Sequence, residues 1–227
     1  MHCLIDMEIV LASKNKNKIK EMQQLVNELC EREIKILSLE DIGFEGDIVE
    51  DGASFEENAA IKASVPAMLG YYGIADDSGI TVDYLGGAPG IYSARYSGEG
   101  ATDESNNEKL MAEMEGVPYE KRGSAYVCAI AFASPKEKAL DEGNMILSEF
   151  ATKHSNKEIV VSSFTGECRG VLLDYYQGNG GFGYDPMFYV KEFDKTFAET
   201  TSEEKNSISH RGKALRAFAS WLNNLEK

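Results

Sequence analysis

The chain has 227 residues and a formal net charge of −15 at pH 7, from 38 acidic and 23 basic side chains. Its hydrophobic content of 43% is ordinary for a folded protein and excludes a disordered chain, while the negative charge disfavours nucleic acid and anionic membranes as partners. No stretch approaches the roughly 20 apolar residues that span a bilayer, and the first residues lack the basic region of a secretory signal. We therefore expect a cytoplasmic protein in which Cys3, Cys30, Cys128 and Cys168 are reduced thiols.

Short apolar runs alternate with amphipathic segments along the chain, which predicts an α/β or α+β protein. The expected strands are 8–12, 34–37, 73–75, 125–133 and 159–164, and the expected helices are 14–30, a segment that begins after residue 54, 103–115 and a C-terminal helix. Ser54-Phe55-Glu56-Glu57 has the pattern of a capping box, in which hydroxyl and carboxylate each satisfy a free N–H group. Pro66 is expected to kink or end the helix that follows. The polar residues 134–157 are expected to form an excursion at the surface.

A lysine-rich segment follows the first predicted strand and begins the first predicted helix. Free backbone N–H groups and the helix dipole favour an anion at this position, whereas cations there cost the helix a few tenths to about 1 kcal/mol. The candidate phosphate contacts are Ser13, Lys14, Asn15, Lys16, Asn17 and Lys18. A solvated lysine-rich face explains the same pattern equally well.

Adjacent carboxylates occur in Asp76-Asp77-Ser78-Gly79, which we expect at the end of a short strand. Neighbouring carboxylates repel each other unless a cation lies between them, and Mg²⁺ typically binds through one or two carboxylates together with substrate phosphates. With Glu50 this segment predicts a carboxylate cluster, and Lys62 lies on the helix between them, on the same face as Asn58. Asp-Asp-Ser-Gly is also a good turn sequence.

A glycine-rich loop with aromatic residues precedes the last helix. Its motif, residues 181–186, offers the ring of Phe182 to a base, and such stacking contributes about 1–3 kcal/mol per base. Arg211 supplies a planar donor fork for a phosphate or a base carbonyl. His210 and Lys205 lie near it in sequence and are further candidates.

Six ordered motifs, from Glu8 onward, resemble the inosine triphosphate pyrophosphatase family, which acts on the non-canonical nucleotides ITP, dITP and XTP. The motifs are Leu11-Ala12-Ser13-x-Asn15-x-x-Lys18, Glu50-x-Gly52-x-x-Phe55-x-x-Asn58-Ala59-x-x-Lys62-Ala63, Ala75-Asp76-Asp77-Ser78-Gly79, Gly86-Gly87-Ala88-Pro89-Gly90-Ile91-Tyr92-Ser93-Ala94-Arg95, Gly181-Phe182-Gly183-Tyr184-Asp185-Pro186 and Ser209-His210-Arg211.

The resemblance implies an α/β fold with a long curved mixed β-sheet and flanking helices that form two lobes around a nucleotide cleft. It implies one domain over 7–227, with 1–6 as an N-terminal extension, a homodimer, Mg²⁺ as cofactor, and cleavage of a small nucleotide into the monophosphate and pyrophosphate. Glu50 and Asp77 are then the magnesium ligands, and Asp77 is also the base for the attacking water. The triphosphate contacts are residues 13–18 and Lys62, and the other substrate contacts are Ser78, Phe182, Gly183, Tyr184, Asp185, Lys205, His210 and Arg211.

Two other functions compete with this interpretation. A nucleotide pyrophosphatase of broader base specificity fits the same motifs. A non-catalytic nucleotide sensor fits less well, because a triphosphate binder gains nothing from extra carboxylates without a metal. A P-loop kinase is disfavoured by the absence of G-x-x-x-x-G-K-[ST].

Overall fold

The computed structural model describes residues 7–14, 16–143 and 158–225, without side-chain detail for residues 16–18 and 21. Its strands are β1 (Met7–Leu11), β2 (Ile34–Leu37), β3 (Tyr72–Val82), β4 (Gly123–Pro135), β5 (Ile159–Leu172), β6 (Phe188–Val190) and β7 (Lys195–Thr196). Its α-helices are α1 (Lys16–Leu29), α2 (Phe55–Met68), α3 (Asp103–Glu113), α4 (Ser202–Ile208) and α5 (His210–Asn224). None of these helices is long and apolar enough to cross a membrane.

The seven strands form one mixed sheet in the order β2-β1-β3-β4-β5-β6-β7. Strand β1 pairs in parallel with both β2 and β3, whereas β6 pairs antiparallel with β5 and β7. Ile9 and Val10 of β1 are completely buried, as expected of a parallel strand that is covered on both faces. The mixed sheet with flanking helices confirms the fold class expected from the sequence.

The chain divides into two compact units. The first contains the described residues within 1–77, 129–165 and 214–227, and the second contains Ser78–Cys128 and Gly166–Lys213. Aromatic residues of β4, β5 and α5 pack together in the first unit, including Phe132, Phe164 and Phe218. The core of the second unit is formed by Ile80, Val82, Leu110, Met114, Tyr126, Cys168, Leu172, Tyr184, Met187, Phe188, Val190 and Phe197.

Strand β3 is much longer than its sequence suggests. It runs through Asp76, Asp77, Ser78 and Gly79, so the prediction that these residues lie at the end of a strand 73–75 is wrong, and so is the turn alternative. Burial explains the difference: the apolar residues on both sides of the acidic segment are buried, and Asp76 itself is only 3% exposed. Tertiary packing therefore outweighs the turn propensity of the local sequence.

Helix α2 begins much as the sequence predicts. The Ser54 hydroxyl accepts a hydrogen bond from the Glu57 N–H at 3.2 Å, but the Glu57 carboxylate accepts from the N–H of Ala53 at 2.7 Å, one residue before the cap. The helix ends at Met68, two residues after Pro66. Against it, β3 approaches so closely that a Cβ on Gly73 would lie 2.1 Å from the Ala63 carbonyl oxygen.

The remaining predictions have mixed outcomes. Short elements β6, β7 and α4 were not predicted, and β5 extends eight residues beyond the predicted strand. Cys30, Cys128 and Cys168 are in no disulfide bond within the described part of the chain, as expected, while Cys3 lies outside that part. Most of the predicted excursion, residues 144–157, also lies outside them.

Candidate active site

Two carboxylates from separate segments meet one ammonium group in the first unit. Lys62 Nζ, on α2, lies 2.7 Å from Glu50 Oε2 and 3.2 Å from Asp77 Oδ1. The side chains of Lys62 and Asp77 are only 12% and 17% exposed, and that of Glu50 is 34% exposed. The predicted convergence of Glu50, Asp77 and Lys62 is therefore present in the structure.

Asn58 connects the members of this cluster. One helical turn before Lys62, it is 1% exposed; its Oδ1 accepts from the Gly52 N–H at 2.9 Å and its Nδ2 donates to Asp77 Oδ2 at 3.2 Å. Gly52 has no room for a side chain, since a Cβ there would lie 2.8 Å from Asn58 Oδ1. The sequence places Asn58 on the same helical face as Lys62 but does not predict it as a metal or substrate contact.

The charges of this cluster depend on one another. Burial lowers the pKa of Lys62, but the carboxylates of Asp77, Glu50 and Asp76 outweigh it and hold that pKa above its usual 10.5. Burial raises the pKa of Asp77 above its usual 3.8, against the opposing effects of Lys62 and Asn58. The lysine is therefore a permanent cation, and Asp77 is a stronger base than an ordinary aspartate.

The donor set suits a hard divalent cation that completes its coordination with substrate. The described residues contain no group of three His, Cys, Asp or Glu side chains able to hold a metal alone. Glu50 and Asp77 nevertheless present oxygens to one common cation. One or two carboxylates with substrate phosphates are what Mg²⁺ typically uses, so the pair fits this ion.

The lysine-rich segment is described only in part. Ser13 is half-buried, and Lys14 Nζ lies 3.0 Å from Asp47 Oδ1 at the surface. Asn15 and the side chains of residues 16–18 lie outside the described part of the structure. Helix α1 begins at Lys16, so its N-terminus follows β1 as predicted, but the phosphate contacts stay a prediction.

In the second unit, a lysine and a buried carboxylate lie beside the aromatic loop. Phe182 is 64% exposed, and the ammonium of Lys205, from α4, lies 4.8 Å from the centroid of its ring. Lys205 Nζ also contacts Asp185 Oδ2 at 2.5 Å, and the same oxygen accepts from the Phe182 N–H at 3.0 Å. Phe182, Asp185 and Lys205 thus form the close group that the motifs suggested.

Tyr126 supports this group from β4. Its hydroxyl donates to Asp185 Oδ1 at 3.2 Å, and its ring stacks on His210, with centroids 4.9 Å apart and planes inclined by 12°. Burial, together with the Asp185 charge, raises the pKa of Tyr126 well above 10, so the hydroxyl stays a donor. No sequence pattern singles out Tyr126, because it lies in an apolar run that predicts a buried strand.

Two members of the loop motif have structural partners. The Gly183 N–H donates to Asp103 Oδ2 at 2.7 Å and its carbonyl accepts from Asn107 at 3.0 Å. Tyr184 is 4% exposed and its hydroxyl donates to the Ser93 carbonyl at 2.8 Å. The Tyr184 ring therefore belongs to the core, and a role in substrate binding stays a prediction for both residues.

Three further candidates have defined places in the fold. Ser78 follows Asp77 on β3 and is half-buried, and the boundary between the two units falls between them. His210 begins α5, where it is buried, and Arg211 follows it half-buried. Their contacts with substrate likewise stay predictions.

The chain is thus an α/β protein with a mixed sheet, a carboxylate–lysine cluster in its first unit and an aromatic loop beside a lysine in its second. The chain belongs to the Ham1 family, whose family model matches residues 9–221.

Relatives and solved structures agree with this assignment. A dITP/XTP pyrophosphatase of Geobacter sulfurreducens is 46% identical over 208 residues, covering 91% of this chain and 92% of its own. One of Clostridium perfringens is 40% identical over 227 residues, covering 97% and 99%. The Ham1 protein of Staphylococcus aureus has a similar structure, with a TM-score of 0.80 and 35% identity over 97% of this chain and all of the other. The family resemblance in the sequence is confirmed.

Proposed function

We propose that the protein hydrolyses non-canonical purine nucleoside triphosphates, namely dITP, ITP and XTP, to the monophosphate and pyrophosphate with Mg²⁺. The observation that carries the proposal is the convergence of Glu50 and Asp77 on Lys62 Nζ. It is supported by relatives that are named dITP/XTP pyrophosphatases and match almost the whole chain.

Glu50, Asp77 and Lys62 are assigned to the polyphosphate. Glu50 and Asp77 hold Mg²⁺, which when bound neutralises phosphate charge. Lys62 contacts the phosphates and offsets the charge that develops on the leaving pyrophosphate. Residues 13–18 add N–H groups and lysines at the start of α1, where an anion is favoured.

Asp77 is assigned as the general base. A water oxygen forms a bond to phosphorus, the bond between the α- and β-phosphates breaks, and the water proton moves to an Asp77 carboxylate oxygen. A positioned base of this kind typically contributes 10²–10⁴-fold to the rate.

Phe182 and Lys205 are assigned to the base. Phe182 is exposed enough to stack on a purine. Hypoxanthine and xanthine carry an acceptor oxygen at C6, where adenine carries a donor amine, so the Lys205 ammonium matches the first two and faces a donor in ATP. A site whose buried polar groups are left unpaired by one nucleotide discriminates against that nucleotide by as much as 10⁴–10⁵-fold.

Pyrophosphate release from dITP, XTP, dGTP and dATP, each with and without Mg²⁺, tests the proposal. We expect turnover only with Mg²⁺ and the highest kcat/KM for dITP and XTP. Equal kcat/KM values for all four nucleotides favour the broader pyrophosphatase, and nucleotide binding without pyrophosphate release favours the sensor.

A homodimer and a cytoplasmic location complete the proposal. Sedimentation velocity checks the homodimer, and cell fractionation checks the location.

A further inference from the structure

Lys62 occupies the position on which the two carboxylates converge. Its Nζ lies 2.7 Å from Glu50 Oε2 and 3.2 Å from Asp77 Oδ1. Its side chain is only 12% exposed, so the ammonium is held among acidic groups and is not a solvated surface charge. The positive charge that these carboxylates require is thus already supplied by the protein itself.

A divalent ion and the Lys62 ammonium cannot both contact the same carboxylate oxygens at the same time. Mg²⁺ requires its oxygen ligands at about 2.0–2.1 Å, and a second cation on the same oxygens is repelled by it. Binding of the metal therefore requires Lys62 to move away or to find another anion. A polyphosphate is such an anion.

We propose that Lys62 is the resident cation of the free enzyme, and that it yields the carboxylate pair to the metal only when a nucleotide polyphosphate takes over the ammonium. This inference rests on the proposed function. It makes metal binding weak without nucleotide and strong with it, so the cation and the substrate bind as one unit. By linkage, the metal strengthens nucleotide binding by the same factor.

Asn58 makes the carboxylate geometry independent of which cation is present. It donates to Asp77 Oδ2, the oxygen that Lys62 does not contact, and it holds the Gly52 N–H, two residues from Glu50. Removal of the Lys62 ammonium therefore leaves two oriented carboxylates without their cation. The metal affinity of the free protein is then expected to rise, although turnover is lost.

Mn²⁺ binding to the full chain without nucleotide tests this inference, with free Mn²⁺ measured by electron paramagnetic resonance. Lys62→Met is expected to bind Mn²⁺ about tenfold more tightly than the wild type, if the ammonium holds the carboxylates about nine-tenths of the time. Lys62→Arg keeps the positive charge and is expected to remain as weak as the wild type.

Lys35→Met is the matched control. Lys35 lies in the first unit and pairs with Glu8 at 3.0 Å, but both side chains are exposed. This variant removes the same charge from the protein as Lys62→Met does. Because exposed charges are screened, its Mn²⁺ affinity is expected to stay within about twofold of that of the wild type. A gain equal to that of Lys62→Met would assign the effect to net charge and overturn the inference.

A second comparison uses a dITP analogue with a non-hydrolysable bridge between the α- and β-phosphates. The analogue is expected to tighten Mn²⁺ binding more in the wild type than in Lys62→Met. In that variant no ammonium lies between the two carboxylates, so there is none for the polyphosphate to draw away. If Lys62→Met binds Mn²⁺ no more tightly than the wild type, the inference fails.

Asp77→Asn and Glu50→Gln separate that failure from failure of the proposed function. If these variants lose Mn²⁺ binding while Lys62→Met gains nothing, the metal site stands and only the role of Lys62 is wrong. If they bind Mn²⁺ like the wild type, the proposed metal site itself is wrong. Thermal unfolding of each variant confirms that a folded protein was measured.

Discussion

The buried carboxylate of Asp185 shows how one residue organises its surroundings. It is 1% exposed and accepts hydrogen bonds from Tyr126, from the Phe182 N–H and from Lys205. A buried charge persists only when it is paired and hydrogen-bonded. The position of the Lys205 ammonium is therefore tied to every donor that holds Asp185.

Tyr126→Phe tests this dependence, because it removes one donor and keeps the ring. The loss of a donor to a buried acceptor costs about 1–3 kcal/mol. We expect the KM for dITP to rise while kcat changes little, and the preference for dITP over dATP to decrease. Tyr72→Phe is the control: its hydroxyl donates to the Lys138 carbonyl, so a similar loss of preference there would refute a specific role for Tyr126.

Asp77→Asn tests the assignment of the base. The amide retains the size of the side chain but cannot accept the proton, so kcat is expected to fall by about 10²–10⁴-fold. Steady-state pyrophosphate release measures the change, and circular dichroism checks that the fold is kept. A kcat near that of the wild type would rule out Asp77 as the base.

The sequence indicates the charged members of the two clusters better than the residues that position them. Asp77 stands out because neighbouring carboxylates repel each other unless a cation lies between them, and the motifs that carry the family resemblance add Glu50 and Lys62. Asn58 and Tyr126 have side chains that also suit a helix and a buried strand. Their roles depend on contacts with Asp77 and Asp185, far away in sequence, which no local pattern contains.

At the scale of elements, α4 carries Lys205 on a helix of only seven residues. Isolated helices shorter than about 12–15 residues are marginal in water, so its capping box matters. The Thr201 hydroxyl accepts from the Glu204 N–H at 3.1 Å, and the Glu204 carboxylate accepts from the Thr201 N–H at 2.9 Å.

Thr201→Ala removes half of this box and is expected to cost about 0.5–2 kcal/mol of folding free energy. Because α4 then holds Lys205 less firmly, the KM for dITP should rise as well. Thr201→Ser keeps the hydroxyl and should behave like the wild type. Denaturant unfolding and initial rates measure the two effects; an unchanged KM in a destabilised Thr201→Ala would show that α4 does not position Lys205.

Helices and strands are likewise predictable only where a local pattern of the sequence marks them. Strand β2 was predicted at its observed bounds, and α1 nearly so, because each has a clear apolar pattern and clear ends. Strands β6 and β7 have three and two residues, too few for any periodicity to be recognised. The acidic middle of β3 reads locally as a turn, and only its place in the sheet makes it a strand.

At the scale of the whole molecule, acidic residues outnumber basic ones by far, at 38 to 23. Most described ion pairs are exposed, such as Lys35–Glu8 and Lys136–Glu158, and exposed pairs contribute about 0–1 kcal/mol each. They do not offset the mutual repulsion of the surplus carboxylates, which destabilises the compact state.

Salt should therefore stabilise this protein. Raising KCl from about 20 to about 300 mM shortens the Debye length from roughly 20 Å to roughly 6 Å, which screens repulsion across the surface more than it weakens the few buried pairs. We expect Tm at neutral pH to rise over this range, as measured by scanning calorimetry, with NaCl as a control for a specific effect of K⁺. The buried pairs Lys62–Asp77 and Lys205–Asp185 are protected from screening, so they hold their stabilisation as the repulsion fades. A Tm that falls with salt would show that attractive surface pairs outweigh the net charge.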